Sequence, residues 1–535
     1  MDLDRDKTPA VLVVGAGPVG LVMAAELSRH GIPCRIVDQG EGASSKSKAV
    51  SVHARTLEIF ESMGVIEEAL RRGRRLVGLS WHSGTRRVAH ITFEGMDTPY
   101  SFELGIAQGD TEHMLAEHLL RLGIPVERRV RFEGLEQDAD GVTARLRRGD
   151  GAQETLRIPW LVACDGARSE VRHVLGFPFK GTTYEEQGLH ADVRLTWPAH
   201  FQAPADQNIF FLGPPGFMAA LPLAADGHYR LVFLLRPGDG ISREATLENL
   251  QAQAAARGPA GVTVRDPAWI DTFRMHCRMV DRYRSGRVFL AGDAAHVHSP
   301  FGGQGISLGI QDAYNLAWKL ALVIRGVGRP ELLDSYDAER RPLAAETLRS
   351  THATTLAIRT LSALRHPLGC ALRDGAISFI TSRPQLKRRA GPALGMLTRN
   401  YRGSSLCAED WPASRGTPGL AAGDRAPDTA PLSRGPRHTL LLFTEGRLVD
   451  LADEIGQRHG DVVEPVLVVP TAERPAALSG TPHRVVLDAD RALHRRYGAR
   501  SECLYLIRPD GYIAYRNLPA DRGKLRGYLR RVFLT

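Results

Sequence analysis

Cysteine is scarce in this chain. Six occur in 535 residues, at positions 34, 164, 277, 370, 407 and 503, and none falls in a CxxC or zinc-ligand spacing. That excludes dithiol redox chemistry and a structural zinc cluster, and it suits a reducing cytoplasm where thiols act as small buried hydrophobes. Long apolar runs are equally rare. Residues 10–27, AVLVVGAGPVGLVMAAEL, come nearest to a membrane span, but three glycines, a proline and Glu26 interrupt them, so no transmembrane helix is expected. The opening MDLDRDK is too acidic for a secretory signal. There is no HExxH, which removes the common zinc-hydrolase signature. Basic residues never run interleaved with aromatics, so no nucleic-acid surface is expected. The net charge of +9 is spread along the chain, with arginine far outnumbering lysine. It fits an anionic ligand such as a dinucleotide or a phenolate, and equally a biased composition.

What is present begins at Ala10–Val14, a short β-rich run followed at once by GAGPVG, a helical stretch from Val19 to His30, and a second apolar run, CRIVD, at 34–38. Strand, glycine turn, helix and strand ending in an acid make a dinucleotide fingerprint. Gly15 permits the tight turn, Gly17 lets the backbone approach a pyrophosphate, and Gly20 lets helix and strand pack closely. The helix start offers N–H groups to the phosphates, and Asp38 is placed for the adenosine ribose hydroxyls. The motif alone leaves NAD(P) and FAD both open.

Two further strands end in acid–glycine turns. RIPWLVACDGARSEVRHVLG (157–176) carries Asp165-Gly166, then Arg168-Ser169 and Arg172. RVFLAGDAAH (287–296) carries Gly292-Asp293 and opens into HVHSPFGGQG, ahead of a helix expected from about Ile306 to Ile324. Asp293 is suited to a ribityl or ribose hydroxyl, and the turn through Gly303 and Gly305 leaves backbone donors for an electron-rich ring edge. Gly305-Ile306-Ser307-Leu308-Gly309 also satisfies G-x-S-x-G. A nucleophile elbow needs a strand immediately before its serine, and here a glycine turn precedes it, so the match is read as an accident. His296 and His298 lack a third ligand at metal spacing and are read as hydrogen-bonded loop histidines.

The combination Gly15-x-Gly17-x-x-Gly20, Cys164-Asp165-Gly166 with Arg168-Ser169 and Arg172, and Gly292-Asp293 with AAHVHSPFGGQG resembles the FAD-dependent aromatic hydroxylases, the class A flavoprotein monooxygenases. HARTLEIF (53–60) and DAYNLAWKLAL (312–322) extend the likeness over the chain, and the tail is similar to the pentachlorophenol monooxygenase and phenol hydroxylase subgroup. The resemblance implies an α/β fold. A Rossmann-like FAD-binding domain is expected over residues 1–183 and 276–350, a β-sheet substrate domain over 184–275, a helical segment and linker over 351–420, and a thioredoxin-like domain without CxxC over 421–535. It implies FAD, with NADPH or NADH as a transient co-substrate, since no second nicotinamide fold is evident. It implies a small aromatic substrate and O₂, consumed through a flavin C4a-hydroperoxide, with a flavoprotein dehydrogenase as the competing reading. By the same resemblance Lys48 faces the FAD pyrophosphate where relatives carry arginine, Gln108 contacts the flavin, and the carbonyl of Pro300 lies beside substrate and flavin. Ile306 and Ser307 offer backbone groups to the ring. Three positions depart from the family pattern: Ser299 stands for the first of two prolines, Ser307 for an asparagine, and Val50 for a phenol hydroxylase aspartate.

In the middle segment HADVRLTW, QNIFFLG, FMAALPL and YRLVFLLR read as strands of an antiparallel sheet. Phe210, Phe211, Phe217, Phe233 and Tyr184 are candidates for an apolar pocket, with ordinary core as the plainer alternative. Arg230, within YRLVF, is costly to bury without an anion, and a phenolate or a surface salt bridge would each supply one. In the tail HTLLLF, VEPVLVV, HRVVLD and ECLYLIRPDGYIAYR alternate with helical stretches. Its expected role is packing or a homodimer contact.

Overall fold

Val11–Val14 is buried along its whole length, as expected of a parallel strand covered on both faces. In the computed structural model, which describes residues 8–44, 49–213, 216–235, 242–412, 420–427 and 435–534, this strand lies second from the edge of a five-stranded sheet. The order is Arg284–Ser285, Val288–Leu290, Trp160–Ala163, Val11–Val14, Cys34–Val37. Val14 pairs in parallel with Ala163 and Val37, and Ala163 with Leu290. All three fingerprint strands are therefore neighbours, and their C-terminal ends open on one side of the sheet, where α/β folds bind ligands.

An eight-stranded sheet forms the second layer. Its order is His296–Val297, Thr263–Met279, Lys180–Thr196, His228–Leu235, Gly216–Pro222, Gln207–Gly213, Gly78–Ser83, Arg86–Thr92. It reaches beyond 184–275 at both ends of the sequence. Because side chains alternate along a strand, its two faces differ. One face, with Ile209, Phe211, Met218, Leu231 and Phe233, closes a core against Leu250 and Ala254 of the helix Leu247–Arg257. The other carries Tyr184, Phe210, Leu212, Phe217 and Phe273, packed with Ile358, Leu361 and Ile377.

The chain divides into two units, 1–25 with 33–313 and 341–397, and 26–32 with 314–340 and 398–535. Both sheets above belong to the first. The helix Asp334–Leu361 runs through residue 350, where the sequence suggested a boundary. The second unit holds a mixed six-stranded sheet, ordered Ala408–Asp410, Ile513–Asn517, Cys503–Ile507, His438–Phe443, Val463–Val469, Arg484–Leu487. The last three pair in parallel, and His438–Phe443 pairs antiparallel with Cys503–Ile507. Leu440 and Leu442 face one core with Trp318, Ile455 and Leu529, while Leu441 and Phe443 face another with Tyr497 and Tyr505. Among the described residues no helix is long and apolar enough to cross a membrane.

Candidate active site

The glycines of the first fingerprint divide by what surrounds them. Gly15 has φ +100°, and a Cβ there would lie 2.3 Å from the Cys164 carbonyl oxygen. A Cβ on Gly20 would lie 1.9 Å from the Gly15 carbonyl oxygen. Both are required by packing. A Cβ on Gly17 would meet nothing within 4 Å, so this residue lacks a side chain where the protein leaves open space. Close-packed glycines beside one that faces a void are what a pyrophosphate approaching the backbone requires.

Contacts through small residues knit the three fingerprints together. Gly15 abuts Cys164 and Asp165, while Val19, on the helix Pro18–Arg29, fills the space beside both Gly292 and Gly309. Arg172, 3% exposed, donates to the carbonyls of Ala294 (3.0 Å) and Ala167 (2.9 Å). It thereby ties the second fingerprint to the third.

Asp38 and Asp165, at the ends of their strands, keep acceptor capacity. Asp38 accepts from the amides of Ala16 and Gly40, each at 2.7 Å, with Arg128 3.5 Å away. A carboxylate has about four lone-pair sites, so two remain for hydroxyls. Asp165 Oδ2 accepts from the Val171 amide at 3.2 Å, whereas its buried Oδ1 has no partner. Burial raises its pKa, against hydrogen bonds from Ser169 and the following amides. Asp293 is exposed on the short helical turn Gly292–Ala294.

The glycine turn is braced from behind. Pro300 is exposed, and its carbonyl accepts from the Gly303 amide at 3.0 Å. A Cβ on Gly303 (φ +63°) would lie 2.9 Å from Ser51 Cβ. His53 Nε2 lies 3.1 Å from the Gly302 carbonyl, and the His53 amide donates to Ser307 Oγ at 3.3 Å. Ser307 is fully buried and engaged as an acceptor, which disposes of it as a nucleophile. In the helix Gly305–Ile324 the first bond to a preceding turn runs from Leu308 N to Gln304 O. The amides of Gly305, Ile306 and Ser307 precede it and belong to the turn that helices leave open to ligands.

His296 pairs with Asp312 at 2.7 Å, both fully buried, and Asp312 also accepts from the Gly292 amide. His298 Nδ1 lies 2.7 Å from the Ser299 carbonyl. Its buried Nε2 has no partner and lies 3.7 Å from where a Cβ on Gly305 would sit. Burial pushes the imidazole down to about 4, against the bond to Ser299, so it is neutral at neutral pH. Gln108 heads the helix Gln108–Arg121 and donates to Glu112 Oε1 at 2.8 Å, while Glu112 Oε2 accepts from the Ser44 amide. Lys48 lies outside the described residues.

Facing this region, Phe217 lies 6.0 Å from Phe210 and 5.1 Å from Phe301, and Trp81 lies 4.8 Å from Phe210. Tyr184 Oη lies 2.6 Å from His352 Nδ1, and Thr355 donates to Ser299 Oγ at 2.7 Å. Phe211 and Phe233 do not line this face. They sit in the opposite core, because adjacent residues of a strand cannot share a face. Arg230 lies on the aromatic face, 1% exposed. Its Nη2 meets Asp192 at 2.9 Å, its Nε also reaches Asp192, and its guanidinium stacks 4.5 Å from Trp269. The surface salt bridge weighed above is thus a buried, bidentate one. Ser51, His53, Glu112 and Asp312 were not singled out by sequence; HARTLEIF and DAYNLAWKLAL hinted at His53 and Asp312, and neither motif reaches Ser51 or Glu112.

An open glycine slot, spare carboxylate oxygens and a free helix start at the ends of parallel strands define a dinucleotide-binding protein, and these donors and acceptors fit FAD. Residues 8–351 match the FAD binding domain family, and the chain belongs to it. The chain is 35% identical to a 6-methylpretetramide 4-monooxygenase from Streptomyces rimosus, over 98% of this chain and 94% of the relative. It is 34% identical to a pentachlorophenol 4-monooxygenase from Sphingobium chlorophenolicum, over 96% and 95%. The solved structure of an anhydrotetracycline hydroxylase from Streptomyces rimosus matches with a TM-score of 0.72 at 31% identity, covering 98% of both chains. The chain is an FAD-dependent aromatic monooxygenase, of a family in which NAD(P)H is the typical co-substrate. The dehydrogenase reading finds no support.

Proposed function

We propose that the substrate is a fused-ring phenol, bound against the aromatic face and hydroxylated beside the glycine turn. The observation that carries this is the row Trp81, Phe210, Phe217 and Phe301, with successive centroids 4.8 to 6.0 Å apart. Such a row offers more stacking surface than one small ring covers. Relatives named for tetracyclic substrates and for pentachlorophenol leave both ring sizes in play. The chemistry that FAD would supply here, when bound and reduced, is activation of O₂, one atom of which would enter the ring while the other leaves as water.

The chain's own residues hold and orient. Gly17 and the helix behind it take the pyrophosphate, Asp38 the ribose hydroxyls, and Asp165 and Asp293 further hydroxyls of the cofactor. The amides of Gly303, Gly305, Ile306 and Ser307 face the ring edge, with Gln108 at its flank and Pro300 against the substrate. His298 offers an unprotonated Nε2 beside them. Tyr184 and His352 form a polar pair at the edge of the aromatic row, placed to receive a phenolic hydroxyl. Arg230 has its charge met by Asp192 and shapes the sheet rather than binding an anion. The six free thiols suit a cytoplasmic enzyme. Buried Cys503 has its thiol pushed up to about 12 by burial and is unreactive, so the C-terminal unit, thioredoxin-like without CxxC, is assigned a packing or homodimer role rather than a redox one.

A panel of monocyclic and tetracyclic phenols, read as NAD(P)H oxidation against H₂O₂ release, tests the substrate class. The tightest coupling is expected with fused rings. Better coupling with a monocyclic phenol overturns it.

A further inference from the structure

The helix Pro367–Ser382 has two faces of opposite character. Arg373 and Asp374 are buried on one, where Asp374 pairs with Arg86 at 2.6 Å, and Ile377 packs toward the aromatic row. On the other, Leu368 is 69% exposed, Leu372 76% and Phe379 63%. At about 100° per residue these three fall within roughly 40° of one another. Ile380, 53% exposed, lies roughly 100° round the helix from them. Four large apolar side chains open to solvent on one helix exceed what scattered surface residues explain.

The charge around this stripe selects its partner. From residue 362 to 396 the only acid is Asp374, and it is buried and paired. Arg365 precedes the stripe, and Arg383, Arg388 and Arg389 follow it, all exposed. A second copy of the chain would set arginines against arginines. An anionic lipid surface takes the apolar stripe into its acyl boundary and pairs the arginines with headgroups. Since the helix is neither long nor apolar enough to cross a bilayer, it lies along one.

We propose that the outer face of Pro367–Ser382, with the arginines that follow it, docks the enzyme on an anionic membrane surface. Because Ile377 of the same helix packs toward the aromatic row, docking would set the substrate pocket close to the lipid. The docking itself stands independently of the substrate class.

Co-sedimentation of the full-length, FAD-loaded chain with phosphatidylcholine vesicles, and with vesicles containing one third phosphatidylglycerol, tests this. At least tenfold more protein is expected on the anionic vesicles. The paired change Leu372→Asp and Phe379→Asp should abolish binding to both. Arg388→Glu with Arg389→Glu should remove only the preference for anionic lipid. FAD content should stay that of the parent in both variants, since the altered side chains lie outside the site. Failure of the parent to sediment with anionic vesicles overturns the proposal. So does a concentration-dependent dimer that Leu372→Asp dissolves, which would assign the stripe to a second copy.

Discussion

Asp165-Gly166 and Asp510-Gly511 are both Asp-Gly turns that follow buried strands, and their carboxylates meet opposite fates. Asp165-Gly166 follows Trp160–Ala163 and Asp510-Gly511 follows Cys503–Ile507, and both glycines have φ +80°. The Asp-Gly pair and its backbone bend are the same, though the first leads into a helix and the second into an antiparallel strand. Asp165 keeps a buried oxygen without a partner. Asp510 spends both of its oxygens, accepting from Arg508 Nε at 2.9 Å and from Asn315 at 3.1 Å. Around it Glu339 binds Lys319, Arg508 and Ser404 in a closed network inside the second unit. Burial works against ionisation of Glu339, yet the Arg508 and Lys319 charges hold it well below the ordinary carboxylate range, while burial pushes Lys319 down to about 8. An acid–glycine turn alone predicts a bend. Unused hydrogen-bonding capacity under burial calls for a partner the protein itself does not supply, and beside the open slot at Gly17 that partner is a ligand.

The comparison can be broken most forcefully in the saturated network. Glu339→Gln leaves Lys319 and Arg508 as buried cations with weakened pairing, and should cost about 3–5 kcal/mol in urea unfolding. A loss under about 1 kcal/mol would mean the network is not closed.

The fingerprint glycines sharpen the same contrast. Gly17→Ala places a methyl in open space, so the FAD-free protein should unfold at an unchanged urea concentration. FAD should then bind about 100-fold more weakly, some 2.7 kcal/mol, by fluorescence titration. Gly15→Ala, with its positive φ and its contact to Cys164, should lower both stability and FAD affinity. Equal behaviour of the two variants would remove the slot from the account.

Protons test the second unit. His438 is buried, and burial, reinforced by Arg508, pushes its imidazole down to about 3. Between its unfolded value near 6.5 and that folded value, the unfolded chain binds the extra proton, so stability falls as pH falls. From pH 6.5 to 4.5 the loss is about 2 to 3 kcal/mol, and His438→Phe should flatten that acid limb. An unaltered limb would assign it to other groups.

The smallest effect belongs to Asp165. Burial raises its pKa, so the ionised carboxylate costs more in the fold than in the unfolded chain. Asp165→Asn should leave stability unchanged or raise it by about 1 kcal/mol, while weakening FAD roughly tenfold. A clear loss of stability would show the carboxylate to be structural.

Much of this was legible beforehand, for reasons the elements themselves display. The run 463–469 is the observed strand, and the helix expected from about Ile306 starts at Gly305. Both are apolar segments bounded by glycine or charge, where local pattern decides. The glycine fingerprints were legible because a backbone approach admits only glycine. What escaped were partners distant in sequence. Asp192 lies 38 residues from Arg230, and His53 lies 254 from Ser307. Phe211 and Phe233 were grouped with Phe210 and Phe217 by composition, and strand alternation separates them.

The central claim is that this cradle directs an oxygen atom from O₂ into an aromatic ring. Turnover under ¹⁸O₂ with NAD(P)H and the best-coupled phenol, followed by mass spectrometry of the product, tests it directly. The account predicts one ¹⁸O atom in a new ring hydroxyl. A product that is oxidised but unlabelled, or labelled only from H₂¹⁸O, would contradict it.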